Sequence, residues 1–110
     1  GKADQLSRGG EVVKAYQDDP LVHSKISFLL AHSLYQFGKY ALEHATALKV
    51  PTFLMHGTGD TICLASGSRA FAEKAPMVTW KEWEGWYHEL HNEPEKEAFL
   101  VTVLDWLDKK

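Results

Sequence analysis

Hydrophobic positions in the first half of the chain repeat with the period of a helix. One stripe of apolar side chains falls on a single helical face and consists of Ile26, Leu29, Leu30, Leu34 and Phe37. Gly38 follows where a C-terminal cap is common, and a helical period resumes over residues 40–48. The pattern therefore predicts either two adjoining helices or one helix kinked at Gly38. A shorter helix is predicted over residues 11–17, because the residue before Pro20 avoids the helical region.

The pattern changes after Pro51. Residues 52–55 form a short apolar run bounded by turn residues, which is typical of a strand buried on both faces. A helical period over residues 66–75 predicts a helix, and the alternation over residues 78–83 predicts a second strand. The most regular apolar stripe of the chain then predicts a helix over residues 93–109.

Three residues mark the predicted start of that last helix. Asn92 is a favoured N-cap, Pro94 suits a first helical turn, and Glu95 lies three positions after Asn92, as in a capping box. The order strand, helix, strand, helix predicts an α/β fold with a C-terminal βαβα unit. Because a two-stranded sheet is marginal in water, this sheet is expected to need partner strands from outside the 110 residues.

The chain divides into three segments by composition and pattern. Residues 1–10 form a polar terminus that ends in two glycines and is expected to be a frayed end or a loop, residues 11–49 are helical, and residues 50–110 carry the βαβα unit. The chain begins with Gly1 rather than Met and has no apolar signal segment. We expect it to be processed, tagged or cut from a longer protein.

Composition sets bounds without naming a function. The 110 residues are 45% hydrophobic and 25% charged, and 12 basic against 15 acidic residues give a formal charge of −3. These values are typical of about one globular domain or less, and they argue against disorder and against a nucleic-acid partner. Cys63 is the single cysteine, so no intrachain disulfide can form. A lone thiol fits a reducing compartment, and we expect a cytoplasmic protein.

Ionisable side chains follow both predicted strands. Asp60 stands in a glycine-containing turn after the first strand, and His88 stands in a similar turn after the second. The carboxyl ends of parallel strands meet at one sheet edge, where ligands bind, so a carboxylate and an imidazole can meet there as an acid–base pair. Asp is also a common turn residue, and a single His is more often structural, so a purely structural role stays open on spacing alone.

Two segments carry a resemblance to a known family. Residues 50–60 (VPTFLMHGTGD) and 84–95 (EGWYHELHNEPE) resemble the C-terminal part of the α/β hydrolase fold, in the branch of monoacylglycerol lipases and lysophospholipases. Residues 18–23 look like the end of the helical cap that covers the substrate site in that family. The resemblance implies a serine ester hydrolase in which Asp60 is the triad acid and His88 the triad base. It also implies acyl ester lipids as substrates and no metal or organic cofactor.

One part of the hydrolase pattern is absent from the sequence. Such enzymes place the nucleophile in a Gly-x-Ser-x-Gly turn ahead of the acid and the base, and no serine of this chain has that context. The oxyanion-hole loop also belongs to the earlier half of the fold. We therefore expect a C-terminal fragment with the first half of the fold absent, inactive by itself.

Further residues are candidates for substrate contact. Trp86 and Cys63 lie close in sequence to the acid and the base, while Leu29 and Leu30 belong either to a core stripe or to an apolar lid. By resemblance, the cap can also contact a lipid surface. Trp86 and Cys63 can equally be packing residues.

The remaining histidines indicate no metal site. His88 and His91 are three residues apart, whereas the zinc-protease helix spaces its histidines by four. The other histidines are interpreted as structural or surface residues: His23, His32, His44 and His56.

A non-enzymatic interpretation remains beside the hydrolase. An isolated α/β module with an open sheet edge can pair with another chain or exchange elements with a second copy. The remainder of the gene distinguishes the two interpretations, since only the hydrolase requires a Gly-x-Ser-x-Gly turn there.

Overall fold

The computed structural model describes residues 3–110, which form an α/β fold. Within that range, four helices flank a two-stranded parallel sheet: α1 Gly10–Asp18, α2 Phe28–Glu43, β1 Thr52–Gly57, α3 Ala65–Lys74, β2 Val78–Trp83 and α4 Lys96–Asp108. Short 3-10 helices lie at Ala3–Gln5, Ala45–Ala47 and Leu90–Asn92. The strand, helix, strand, helix order of the C-terminal part is therefore as predicted.

The sheet places the ends of its two strands side by side. β1 and β2 pair in parallel from Thr52 opposite Val78 to Gly57 opposite Trp83, with α3 as the crossover between them. Both strands thus end at the same edge, and the loops that follow them start next to each other. This edge is where the sequence predicts a site.

Helix α2 differs from its prediction. It runs as one helix through Gly38 to Glu43, so the alternative of two separate helices divided at Gly38 is wrong. The Ser27 hydroxyl caps its start by accepting a hydrogen bond from the Leu30 N–H at 3.1 Å, which leaves Ile26 outside the helix. A glycine inside a helix costs only about 1 kcal/mol relative to alanine, which the intact hydrogen-bond ladder tolerates.

The start of α4 also differs from its prediction. The helix begins at Lys96 instead of residue 93, and the capping box expected from Asn92 to Glu95 is not formed. The Asn92 side-chain amide donates instead to the Glu89 carboxylate at 2.8 Å. Glu93 is drawn away from the helix by partners near the start of the chain, and this tertiary contact overrides the local helix-start signal.

The residues before α1 are packed against the rest of the chain. Leu6 and Ser7 are buried, and the Leu6 carbonyl accepts a hydrogen bond from the Glu89 N–H at 2.8 Å. Of the two predicted alternatives, a frayed end is therefore wrong for residues 3–10, which are packed and hydrogen-bonded. A polar composition is typical of a flexible end, but here the polar groups satisfy a buried carboxylate more than 80 positions away.

The described core is small, and much apolar surface is exposed. The buried hydrophobic residues are Leu6, Ala45, Ala65, Ala75 and Trp86. Helix α2 has Phe28 at 95% and Leu29 at 75% exposure, so its stripe is an outward face of this segment. Large exposed apolar patches mark interaction surfaces. Among residues 3–110, no helix is both long and apolar enough to cross a bilayer.

Candidate active site

Two loops meet at the carboxyl end of the sheet because their backbones approach closely. The Gly59 N–H donates to the Trp86 carbonyl at 2.9 Å, and the Gly85 N–H donates to the Thr58 hydroxyl at 2.7 Å. A Cβ at Gly57 would overlap the Trp86 carbonyl oxygen, and a Cβ at Gly59 would lie 2.7 Å from the Gly85 carbonyl oxygen. Gly57 at the end of β1 and Gly59 in the loop after it therefore allow the loop after β2 to lie against this backbone.

This approach brings together the predicted acid and base. His88 Nδ1 lies 3.0 Å from Asp60 Oδ2, although the two residues are 28 positions apart. The Asp60 side chain is 2% exposed, whereas that of His88 is 35% exposed. The carboxylate is thus inside, with the imidazole between it and the solvent. This is the arrangement in which a carboxylate fixes the tautomer of a general base.

The surroundings of Asp60 keep its carboxylate charged. Burial by itself would raise the pKa of Asp60. Hydrogen bonds from the backbone N–H groups of Cys63 and Ile62, together with the His88 ring, outweigh burial and hold that pKa below its usual range. An ionised carboxylate accepts a hydrogen bond from the Nδ1–H group of His88. Nε2 is then the unprotonated ring nitrogen, which can take a proton from a reacting group.

His88 lines a cavity of about 870 Å³. Its walls come mainly from apolar side chains near the start of the chain, including Leu6, Val22 and Ile26, with Ile62 from the loop after β1. His23 and Lys25 add polar groups to the same cavity. An apolar cavity with a few polar groups is the usual form of a small-molecule site.

The other predicted contact residues are not beside this cavity. Trp86 is buried against Trp83, with the two rings 4.4 Å apart, and does not line the cavity. Leu29 and Leu30 lie on the outward face of α2 and do not line it either. Cys63 contributes backbone contacts at the site, while its side chain is free.

A second histidine contacts the acid and was missed from the sequence. His56 Nε2 lies 2.9 Å from Asp60 Oδ2, and His56 Nδ1 lies 2.8 Å from the Ser68 hydroxyl. From the sequence, His56 is interpreted as a structural or surface residue and is given no role at the site. The available signal was its place in the same HGTGD segment as Asp60, four residues earlier.

A buried carboxylate fixes the loop that carries His88. Glu93 is 1% exposed and accepts hydrogen bonds from the Ser7 hydroxyl at 2.6 Å and from the Arg8 backbone N–H at 2.7 Å. The Arg8 guanidinium also binds it at 2.7 Å, and the Tyr87 N–H donates to it at 2.9 Å. Since Tyr87 adjoins His88, this network connects the start of the chain to the base. Sequence reasoning missed it because its partners are distant in sequence.

The charge of Glu93 follows from the same contacts. Burial would raise its pKa, but the hydrogen bonds from Ser7 and Arg8 and from the Tyr87 backbone outweigh burial and lower it. The buried side chain is therefore an ionised carboxylate in an ion pair with Arg8.

We expect acid to weaken the fold through these carboxylates. A depressed pKa adds stability that is present above the unfolded-state pKa and is lost as the pH falls through the folded-state pKa. The free energy of unfolding should therefore decrease as the pH drops from about 5 towards 3. Urea titrations at several pH values measure this slope. Glu93→Gln should flatten it, and an unchanged slope in that variant would contradict the ionised state of Glu93.

Across the described residues, no group of three His, Cys, Asp or Glu side chains is arranged to hold a metal ion. Residues 1–95 match the family model Hydrolase_4, described as serine aminopeptidase, S33. The chain belongs to this family.

Relatives in the family include named lipases. The monoacylglycerol lipase of Mycolicibacterium smegmatis is 37% identical over 108 residues, which cover 96% of this chain and 39% of that protein. Phospholipase YtpA of Bacillus subtilis is 30% identical over 118 residues, which cover 96% of this chain and 42% of that protein. The predicted resemblance to this branch of the α/β hydrolases is confirmed.

A solved structure matches the fold as well as the sequence. The crystal structure of Paleococcus ferrophilus monoacylglycerol lipase has a TM-score of 0.88 to this chain at 37% identity, covering 96% of this chain and 42% of that one. The chain therefore spans less than half the length of these three relatives.

Proposed function

We propose that this chain supplies the acid and the base of a serine ester hydrolase. The observation that carries the proposal is the contact of His88 Nδ1 with the buried, ionised Asp60 at the carboxyl edge of the sheet. The family match and the lipase names of relatives support this class of reaction. The nucleophile would come from a part of the protein outside these 110 residues.

In the proposed reaction, each proton has a defined acceptor. The serine oxygen attacks the acyl carbonyl while His88 Nε2 takes its proton, and the imidazolium then gives that proton to the departing alcohol. In the second half, His88 deprotonates a water that attacks the acyl-serine, and the imidazolium returns the proton to the serine oxygen as the acyl–oxygen bond breaks and the carboxylic acid leaves. Asp60 holds the ring and balances its charge throughout. Side chains handle every proton, so the scheme uses no cofactor.

The proposed substrates are acyl esters of apolar chains. The apolar walls of the cavity beside His88 support an acyl chain or another apolar group as ligand. The family description names an aminopeptidase, whereas the relatives are named as lipases. Parallel assays of the full-length protein with a monoacylglycerol and with an aminoacyl p-nitroanilide separate these substrate classes, and we expect turnover of the ester.

We expect the purified 110-residue chain alone to hydrolyse no p-nitrophenyl ester above the buffer rate. An acid and a base without the nucleophile cannot form the acyl intermediate. The assay follows p-nitrophenolate release, with the full-length protein as the active control. Turnover by the 110-residue chain that disappears in its His88→Ala variant would contradict a nucleophile outside the chain.

A non-enzymatic interaction module is the second candidate. The exposed apolar face of α2 and the short two-stranded sheet favour it. A full-length protein that lacks a Gly-x-Ser-x-Gly turn, shows no esterase activity and self-associates would support this candidate over the hydrolase.

A further inference from the structure

His56 contacts the candidate acid at Oδ2, whereas the backbone N–H donors bond to Oδ1. It is the fifth residue of β1, and its side chain is only 14% exposed. Its ring contacts Asp60, the Cys63 carbonyl and Ser68, so both of its nitrogens have partners. No solvent is needed to satisfy this ring.

The contacts of His56 fix its tautomer. Nε2 lies 2.9 Å from Asp60 Oδ2 and 2.8 Å from the Cys63 carbonyl oxygen, and both of these atoms only accept hydrogen bonds. The proton of a neutral His56 must therefore be on Nε2. Nδ1 then accepts from the Ser68 hydroxyl, which lies 2.8 Å away and can rotate to donate.

Asp60 Oδ2 is consequently shared by two imidazole rings. His56 Nε2–H and His88 Nδ1–H both donate to it, while the N–H groups of Ile62 and Cys63 donate to Oδ1. A carboxylate accepts about four hydrogen bonds, so the capacity of Asp60 is filled. Both carboxylate oxygens are thus held by hydrogen bonds, and the two imidazole rings compete for the same oxygen.

We propose that His56 is a positioning residue for the base. Resting on the proposed function, this role has two parts: His56 holds the Asp60 carboxylate in line with His88, and it takes part of the negative charge that would otherwise hold a proton on His88. His56 itself touches no reacting atom. Removing it should leave more of the carboxylate's charge to His88 and make that imidazole bind its proton more strongly.

Few other charges bear on the two rings. Glu82 lies opposite His56 in the strand register and is paired with Arg69 at 2.6 Å. On the cavity side, His23 and Lys25 line the same cavity as His88. Because none of these residues bonds to Asp60, substitution of His56 changes the sharing of Oδ2 without removing another ion pair.

The test is the pH dependence of kcat/KM in the full-length protein for His56→Phe. Losing one donor to the carboxylate should move the acid limb of the profile to higher pH by about half a unit to one unit. The plateau should fall about tenfold, through kcat more than KM. His56→Gln, whose amide can donate to Asp60, should recover part of the shift, and exposed His32→Phe is the matched control with no shift.

Three outcomes separate the possibilities. An acid limb that stays in place in both His56 variants, at whatever activity, would overturn the role of His56. If His56→Phe does not fold, Ser68→Ala provides the same reading, since it removes the donor to His56 Nδ1 and loosens the ring that donates to Asp60. If Asp60→Asn retains full activity in the same assay, the proposed function fails instead.

Discussion

Asp60→Asn in the full-length protein is expected to lower kcat by about a thousandfold to ten-thousandfold with little change in KM. An asparagine can present its amide N–H₂ to His88 Nδ1, which favours the tautomer that carries the proton on Nε2. That tautomer cannot accept the proton of a nucleophile. The carboxylate is buried and accepts backbone hydrogen bonds, so no neighbouring water can substitute for it.

Steady-state kinetics with a p-nitrophenyl ester measure this effect. Asp105→Asn is the matched control, because Asp105 is exposed on α4 and far in sequence from the site. Its kinetics should equal those of the wild type. A folded Asp60→Asn protein with more than about a tenth of the wild-type kcat would show that the contact with His88 is only structural.

Glu93→Ala is expected to destabilise the protein by about 2–3 kcal/mol. Removing this carboxylate leaves the backbone N–H groups of Arg8 and Tyr87 without their acceptor, while the partly exposed Arg8 guanidinium keeps only its contact with Glu95. The loop between Tyr87 and Glu93 then loses its attachment to the start of the chain. Because His88 lies in that loop, kcat should also fall.

The chain offers a matched control for this substitution. Glu95 pairs with the same guanidinium at 2.9 Å but is 50% exposed, so Glu95→Ala should cost no more than about 1 kcal/mol. Urea denaturation of the full-length proteins measures both values. Equal losses of stability in the two variants would show that the buried contacts of Glu93 add nothing beyond an exposed ion pair.

The strand ends were predictable because their signals are local. A short apolar run bounded by turn residues marks β1, and parallel strands must end at one sheet edge, which places Asp60 near His88. The resemblance then assigned their roles. The partners of these two side chains were harder to predict, because nothing in the sequence distinguishes His56 from any other histidine near a strand end.

The errors at the start of the chain and at the start of α4 share a physical cause, which is competition between local signals and distant contacts. Asn92 and Glu95 have the spacing of a capping box, yet Glu93 is held by Ser7 and Arg8, and the helix begins only at Lys96. The polar composition at the start of the chain predicts a loose end. In the structure, Ser7 instead bonds to the buried Glu93 carboxylate, which is 86 positions away. No window of sequence contains both members of that contact.

We propose that Asp60 and His88 activate a serine located outside these 110 residues. Fluorophosphonate labelling of the full-length protein, with mass-spectrometric mapping of the modified peptide, identifies that serine. We expect one labelled serine in a Gly-x-Ser-x-Gly turn outside this segment, and a labelling rate that falls at least a hundredfold in His88→Ala. A label on a serine within these 110 residues, or an unchanged rate in His88→Ala, would contradict it.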